Sequence, residues 1–119
     1  MTVDYAETFR LRLRADLKIA MQQRLAAETS AIRSLIAAVD NAQAVSVGNL
    51  HEKFVMREFG DKAAEVPRLV LSKDDLDALL AREIDDRRIA VEQYQAHGKS
   101  DAAMKLLDEV AVLERYLTR

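Results

Sequence analysis

Residues 72–98 read SKDDLDALLAREIDDRRIAVEQYQAHG. Within them Leu76, Leu79, Leu80, Ile84, Val91 and Tyr94 recur at helical spacing and fall on one face. Ser72 with Asp75 three positions on has capping-box form, and acidic residues fill the first turn, where the helix dipole is positive. Gly98 stands where a left-handed residue would end the helix. The stretch predicts a helix of about 25 residues, roughly 38 Å long.

Immediately beyond, Ser100-Asp101 offers a second cap, and Ala103, Leu106, Leu107, Val110, Leu113 and Leu117 form another apolar stripe. Two helices joined by so short a turn make an antiparallel hairpin. At the other end of the chain, Asp4 and Glu7 again have capping-box form, and Phe9, Leu13, Leu17, Ala20 and Met21 share a face as far as about Leu25. No Gly or Pro marks the next break, so Glu28-Thr29-Ser30 is taken as the cap of a second helix carrying Ile32, Leu35, Ile36, Val39 and Ala42 to about Ala44. Residues 45–71 form a long irregular connection. Asn49 with Glu52 predicts a short helix there, bearing Leu50, Phe54, Val55 and Phe59 and ended by Gly60, and Pro67 favours an extended run from 66 to 71. The four apolar residues serve either as a flap closing the bundle or as a patch for a partner; the flap is the expectation. The fold class expected is all-α: a four-helix assembly of two helical hairpins, one domain over 1–119, with the long connection between helix 2 and helix 3.

Bulk properties narrow the function classes. With 119 residues, 50% of them hydrophobic and 32% charged, the chain suits one globular domain and not a disordered segment. There is no cysteine, which removes disulfides, thiolate zinc sites and thiol nucleophiles. The N-terminus lacks the apolar core of a signal peptide, and no stretch approaches the roughly 18 apolar residues of a membrane span, so the cytoplasm is the default location. A net charge of −2 gives no general attraction to nucleic acid, so any RNA contact has to come from a local patch.

Several residues are candidates for function, each with a plainer alternative. Glu83 and Arg87, four apart, fall inside the apolar arc of helix 3, with Glu109 of helix 4 as a possible third member. They form either a polar docking site or a structural ion pair, the latter being the expectation, because an inward charge must be partnered. Arg10, Arg14 and Lys18 lie at i, i+4 and i+8 as a basic stripe beside the core face of helix 1, and Arg12 and Arg24 add to its positive charge. These are either phosphate contacts or long side chains snorkelling over apolar surface. Arg33 and Arg88 could extend the patch, although Asp85-Asp86 offset part of it and no aromatic is interleaved in sequence as a stacking platform. His51 and His97 have no second ligand at metal spacing, so no metal and no cofactor are expected. No nucleophile elbow or Gly-rich phosphate loop is present, and no catalytic residue is recognisable.

A family resemblance rests on particular strings. Ala20-Met21, then Ser30 through Val39, then Asn41-Ala42 resemble the first hairpin of the GatB/YqeY family of bacterial helical proteins. Leu71 through Leu76, Glu83 through Arg88, Glu92-Gln93-Tyr94, Gly98 through Asp101, Glu109, Leu113-Glu114 and Tyr116-Leu117 resemble its second. Members of ordinary length continue past the Tyr-Leu ending into a second small helical domain, so the first helical domain is what this chain is expected to match. The connection at 45–71 is also longer than in compact members. The resemblance implies kinship with the tail of the B subunit of the tRNA-dependent amidotransferase, a glutamine-dependent carbon–nitrogen ligase whose helical tail lies against tRNA. That enzyme's catalytic sites lie elsewhere, so no active-site residue carries over. The expectation is a non-catalytic accessory protein with tRNA, amidotransferase subunits or another protein as partner. The alternative is a protein-interaction or self-associating helical module without RNA binding, suggested by Ile89 opposite the main face of helix 3. An amide-transfer enzyme is a third possibility that no motif supports.

Overall fold

The computed structural model describes residues 4–54 and 70–117, with side chains for 4–44 and 70–117. Four helices follow one another: α1 (Tyr5–Gln22), α2 (Ala26–Phe54), α3 (Lys73–Ala96) and α4 (Ser100–Leu117). The described residues contain no strand. α1 pairs with α2 and α3 with α4, and the two hairpins meet mainly through α2 against α4. The all-α, two-hairpin architecture is therefore the one that periodicity and caps predict.

The caps act as their chemistry requires. Asp4 accepts from the Glu7 amide at 3.0 Å, and Ser72 and Asp75 exchange reciprocal bonds of 2.9 and 3.0 Å. Each of these satisfies an amide that the first helical turn leaves without a partner. Val70 and Leu71 are non-helical, and Leu71 is buried.

Two boundaries differ from expectation. α1 ends at Gln22 and α2 begins at Ala26, so Glu28-Thr29-Ser30 lies inside the helix and does not cap it. The break is made by Arg24, which adopts a left-handed φ of 56°. Its amide bonds to the Met21 carbonyl at 3.2 Å and that of Leu25 to Ala20 at 2.9 Å, closing α1 in a Schellman turn. α2 then continues beyond Ala44 to Phe54, so the helix takes in the first part of the expected connection, including Asn49 and Glu52. The expected Val55, Phe59 and Gly60 features and the extended run at 66–69 lie outside the described residues, as do the side chains of Leu50, Phe54 and His51.

The core lies between the hairpins. Leu13 from α1, Ile32 and Leu35 from α2, Leu80 and Ile84 from α3, and Val110 and Leu113 from α4 form its centre. A smaller cluster of Ala6, Val39, Leu71 and Leu76 closes the end where α3 begins. Met21, Leu107 and Leu117, assigned above to the apolar stripes, are instead exposed at 48%, 44% and 40%, while Arg10, Val112 and Tyr116 turn inward. Met21 and Leu107 sit at the angular edge of their stripes and Leu117 at the last residue of α4, where the neighbouring helix and not helical angle decides what is covered. No described helix is long and apolar enough to cross a membrane.

Candidate functional site

Arg10 is not part of a basic surface. It is 4% exposed, and its guanidinium donates to Glu7 at 2.8 Å, to Asp40 at 3.0 Å and to the side-chain carbonyl of Gln43. The α1–α2 seam closes over its apolar stem, and two carboxylates neutralise the head. The structure therefore places Arg10 in the seam and outside the expected RNA-binding stripe: a guanidinium so enclosed, with two carboxylates against it, is closed to a phosphate.

Glu83, Arg87 and Glu109 meet between α3 and α4. Arg87 donates to Glu83 Oε1 at 3.2 Å, to the Glu83 carbonyl at 3.1 Å and to Glu109 Oε1 at 3.1 Å. α2 joins the cluster from the other hairpin, with the Ser34 hydroxyl 3.4 Å from Glu83 and the Ser30 hydroxyl 3.3 Å from Glu109. The three charged side chains are 21%, 12% and 14% exposed, and one cation lies between two anions. Each carboxylate accepts from Arg87 and from one serine, which suits fixing the relative position of three helices.

The remaining basic candidates divide between two faces. Arg88 is on the α3–α4 hairpin, paired with Glu114 at 3.1 Å. Arg14 and Lys18 are exposed on α1, and Met21 follows Lys18 by three positions on the same side of that helix. Arg33 reaches across from α2 to within 3.6 Å of the Met21 sulfur. Met21, Arg24, Ala26, Thr29, Ser30 and Arg33 line an open groove of about 610 Å³ at the α1–α2 turn. Two arginines and two hydroxyl residues line this groove and no acidic residue does, although the Ser30 hydroxyl is engaged with Glu109. Arg24 enters it from its left-handed backbone position. The sequence reading counts Arg24 only as added charge on helix 1, because its left-handed placement is set by the turn.

A further cation has an environment that sequence spacing does not show. Arg12 lies over the ring of Tyr116, 4.7 Å from its centroid, and Phe9 meets the same ring edge-on at 5.9 Å. The Tyr116 hydroxyl donates to Asp16 at 2.6 Å. Burial first, then that hydrogen bond and the Asp16 charge, push the Tyr116 phenol above its ordinary pKa, with Arg12 and Arg115 opposing. Tyr116 and Asp16 are a hundred residues apart in the chain.

His97 is exposed, with its Nδ1 2.7 Å from the Gln93 carbonyl. Among the described residues, no group of three His, Cys, Asp or Glu side chains is placed to hold a metal ion.

No curated protein and no solved structure matches the chain. A family described as Yqey-like protein matches residues 10–119, a span that takes in all four helices from the second turn of α1 onward. With nearly the whole bundle inside that match, and with both hairpins built as the motif strings require, the chain belongs to the Yqey-like protein family.

Proposed function

We propose that this chain is a non-catalytic, cytoplasmic accessory protein that binds the phosphate backbone of a folded RNA along the α1–α2 seam. The observation that carries the reading is the groove at the α1–α2 turn, where Arg24 and Arg33 stand beside Thr29 and Ser30 without a lining carboxylate. Arg14 and Lys18 extend the positive charge along α1. The left-handed backbone of Arg24 adds support. Glycine fits that conformation without cost, so an arginine there retains a side chain at the expense of strain, a pattern that concentrates at functional sites. Kinship of the family with the tail of the amidotransferase B subunit favours tRNA as the RNA and amidotransferase subunits as companions.

The test is binding of bulk tRNA followed by fluorescence anisotropy across a salt series. Affinity falls linearly with salt on logarithmic axes, by about 0.7–0.9 in slope for each phosphate neutralised. Arg24→Glu/Arg33→Glu lowers that slope by about two contacts' worth, whereas Arg88→Gln leaves it unchanged. Absence of salt-dependent binding, or a slope indifferent to the double reversal, removes the reading.

A protein partner is the second reading, favoured by Ile89, Met104 and Leu107 on the α3–α4 hairpin, exposed at 55%, 62% and 44%. Mass that grows with concentration in light scattering, together with no tRNA binding, decides for it.

A further inference from the structure

The backbones of α1 and α4 do not approach each other closely, and long side chains span the gap. Tyr116 crosses it to Asp16, with Arg12 above its ring. Clefts open on both sides of this bridge, and Arg12 lines both. One is a pocket of about 260 Å³ walled by Tyr5, Phe9, Leu76, Leu80 and Tyr116, with Lys73 and Asp77 also lining it.

Arg12 differs from the other arginines whose pairing is described. Arg10, Arg87, Arg88 and Arg115 each contact a carboxylate at 3.3 Å or less. Among the described residues no carboxylate is within ion-pairing distance of Arg12, although its side chain is half-buried. A guanidinium held over a ring is positioned by the π-face while the donors at its edge stay available. A fixed, partly desolvated and unpaired guanidinium at an apolar pocket is what a bidentate acceptor requires.

We infer that this pocket binds a small carboxylate carrying an apolar or aromatic body. Charge selects the head group: Arg12 and Lys73 against Asp77 leave one net positive charge, which a carboxylate balances. A phosphate dianion would leave a net negative charge against apolar walls. Size selects the body, since about 260 Å³ falls just below the range that holds a drug-sized ligand and suits one ring or one branched side chain. The same chemistry occurs in a free acid and at the C-terminal residue of a peptide. This site faces the α1–α4 gap and is separate from the RNA-binding seam.

The test is a nitrogen-15 NMR titration of the whole protein with 3-phenylpropionate, alongside its neutral amide and a pentapeptide ending in phenylalanine with a free or amidated terminus. The acid shifts amides of residues 5–12 and 73–80 with a millimolar Kd, and the neutral amide does not. Arg12→Gln weakens binding about tenfold, as loss of a charge-assisted pair requires. Arg12→Lys, which keeps charge and stem but not the fork, falls between. Arg24→Glu/Arg33→Glu leaves this binding intact, so its outcome is independent of the RNA result. Binding of the free-ended peptide but not of the free acid assigns the site to a chain terminus, and the reverse assigns it to a metabolite-sized acid. No shifts with any free carboxylate, equal shifts with the neutral amide, or retention of full affinity by Arg12→Gln overturns the inference.

Discussion

Arg87 is the residue on which the polar interior turns, since it neutralises Glu83 and Glu109 at once. Removing it alone leaves two carboxylates facing each other between helices with little water to screen them. Arg87→Ala is expected to destabilise the protein by about 2–4 kcal/mol, below the full penalty of a sealed site because the cluster is slightly open. Replacing all three charges together, as Glu83→Leu/Arg87→Met/Glu109→Leu, is expected to return stability to within about 1 kcal/mol of the parent. Urea unfolding of the two variants checks the pair, and a triple variant as unstable as the single one would show that the cluster contributes more than neutrality. Arg10 follows the same logic at the α1–α2 seam, where its two carboxylates and Gln43 make it a packing element.

Among the elements, the two hairpins turn corners in the same way. His97 caps α3, Gly98 adopts φ 72°, and the amides of Gly98 and Lys99 bond to Gln95 at 3.1 Å and Tyr94 at 2.8 Å. Gln23, Arg24 and Leu25 reproduce this pattern after α1, and the next helix begins at once in both cases. The difference is that one left-handed position holds glycine and the other arginine. Arg24→Gly therefore relieves backbone strain against a smaller loss to unfolded-chain entropy, and stability is expected to be unchanged or raised by up to about 1 kcal/mol. The same substitution weakens tRNA binding if the groove holds phosphate. Thermal unfolding and anisotropy on one protein sample check both; a stability loss above about 1 kcal/mol would mean that the Arg24 side chain anchors the turn.

On the scale of the whole molecule, Tyr116 links α4 near the end of the chain to α1 near its start. Its phenol pKa is raised in the fold, chiefly by burial and then by Asp16, so the folded state holds the proton more tightly than the unfolded chain does. The stabilisation is complete below the ordinary tyrosine value of about 10 and is lost as pH rises beyond it, because only the unfolded chain then ionises readily. Tyr116→Phe is expected to be about 1–2 kcal/mol less stable than the parent at pH 8, through loss of the bond to a carboxylate. That gap narrows toward pH 11, since phenylalanine has no proton to lose. Denaturant midpoints at the two pH values give the comparison, and a gap that widens with pH would contradict the assigned direction.

The four helices, their pairing and the caps at Asp4 and Ser72 were legible because each depends on residues within a few positions of one another. Helical periodicity, capping donors and acceptors, and the glycine after α3 are local physics, and a linear chain states local physics directly. The Glu83–Arg87 spacing on an apolar face belongs to the same class, since an inward charge demands a partner. What lay beyond reach was whatever a second element decides. Arg10 moves from surface to seam because α2 covers it, and Met21 moves the opposite way because it borders an open groove with the Arg33 guanidinium at its sulfur. Arg24 is left-handed because the hairpin must close there, against the preference of its own side chain. Arg12 acquires its ring, and the apolar pocket beside it, only when α4 brings Tyr116 back across a hundred residues. Burial and charge pairing depend on distances between helices, and those distances exist only after the bundle has packed.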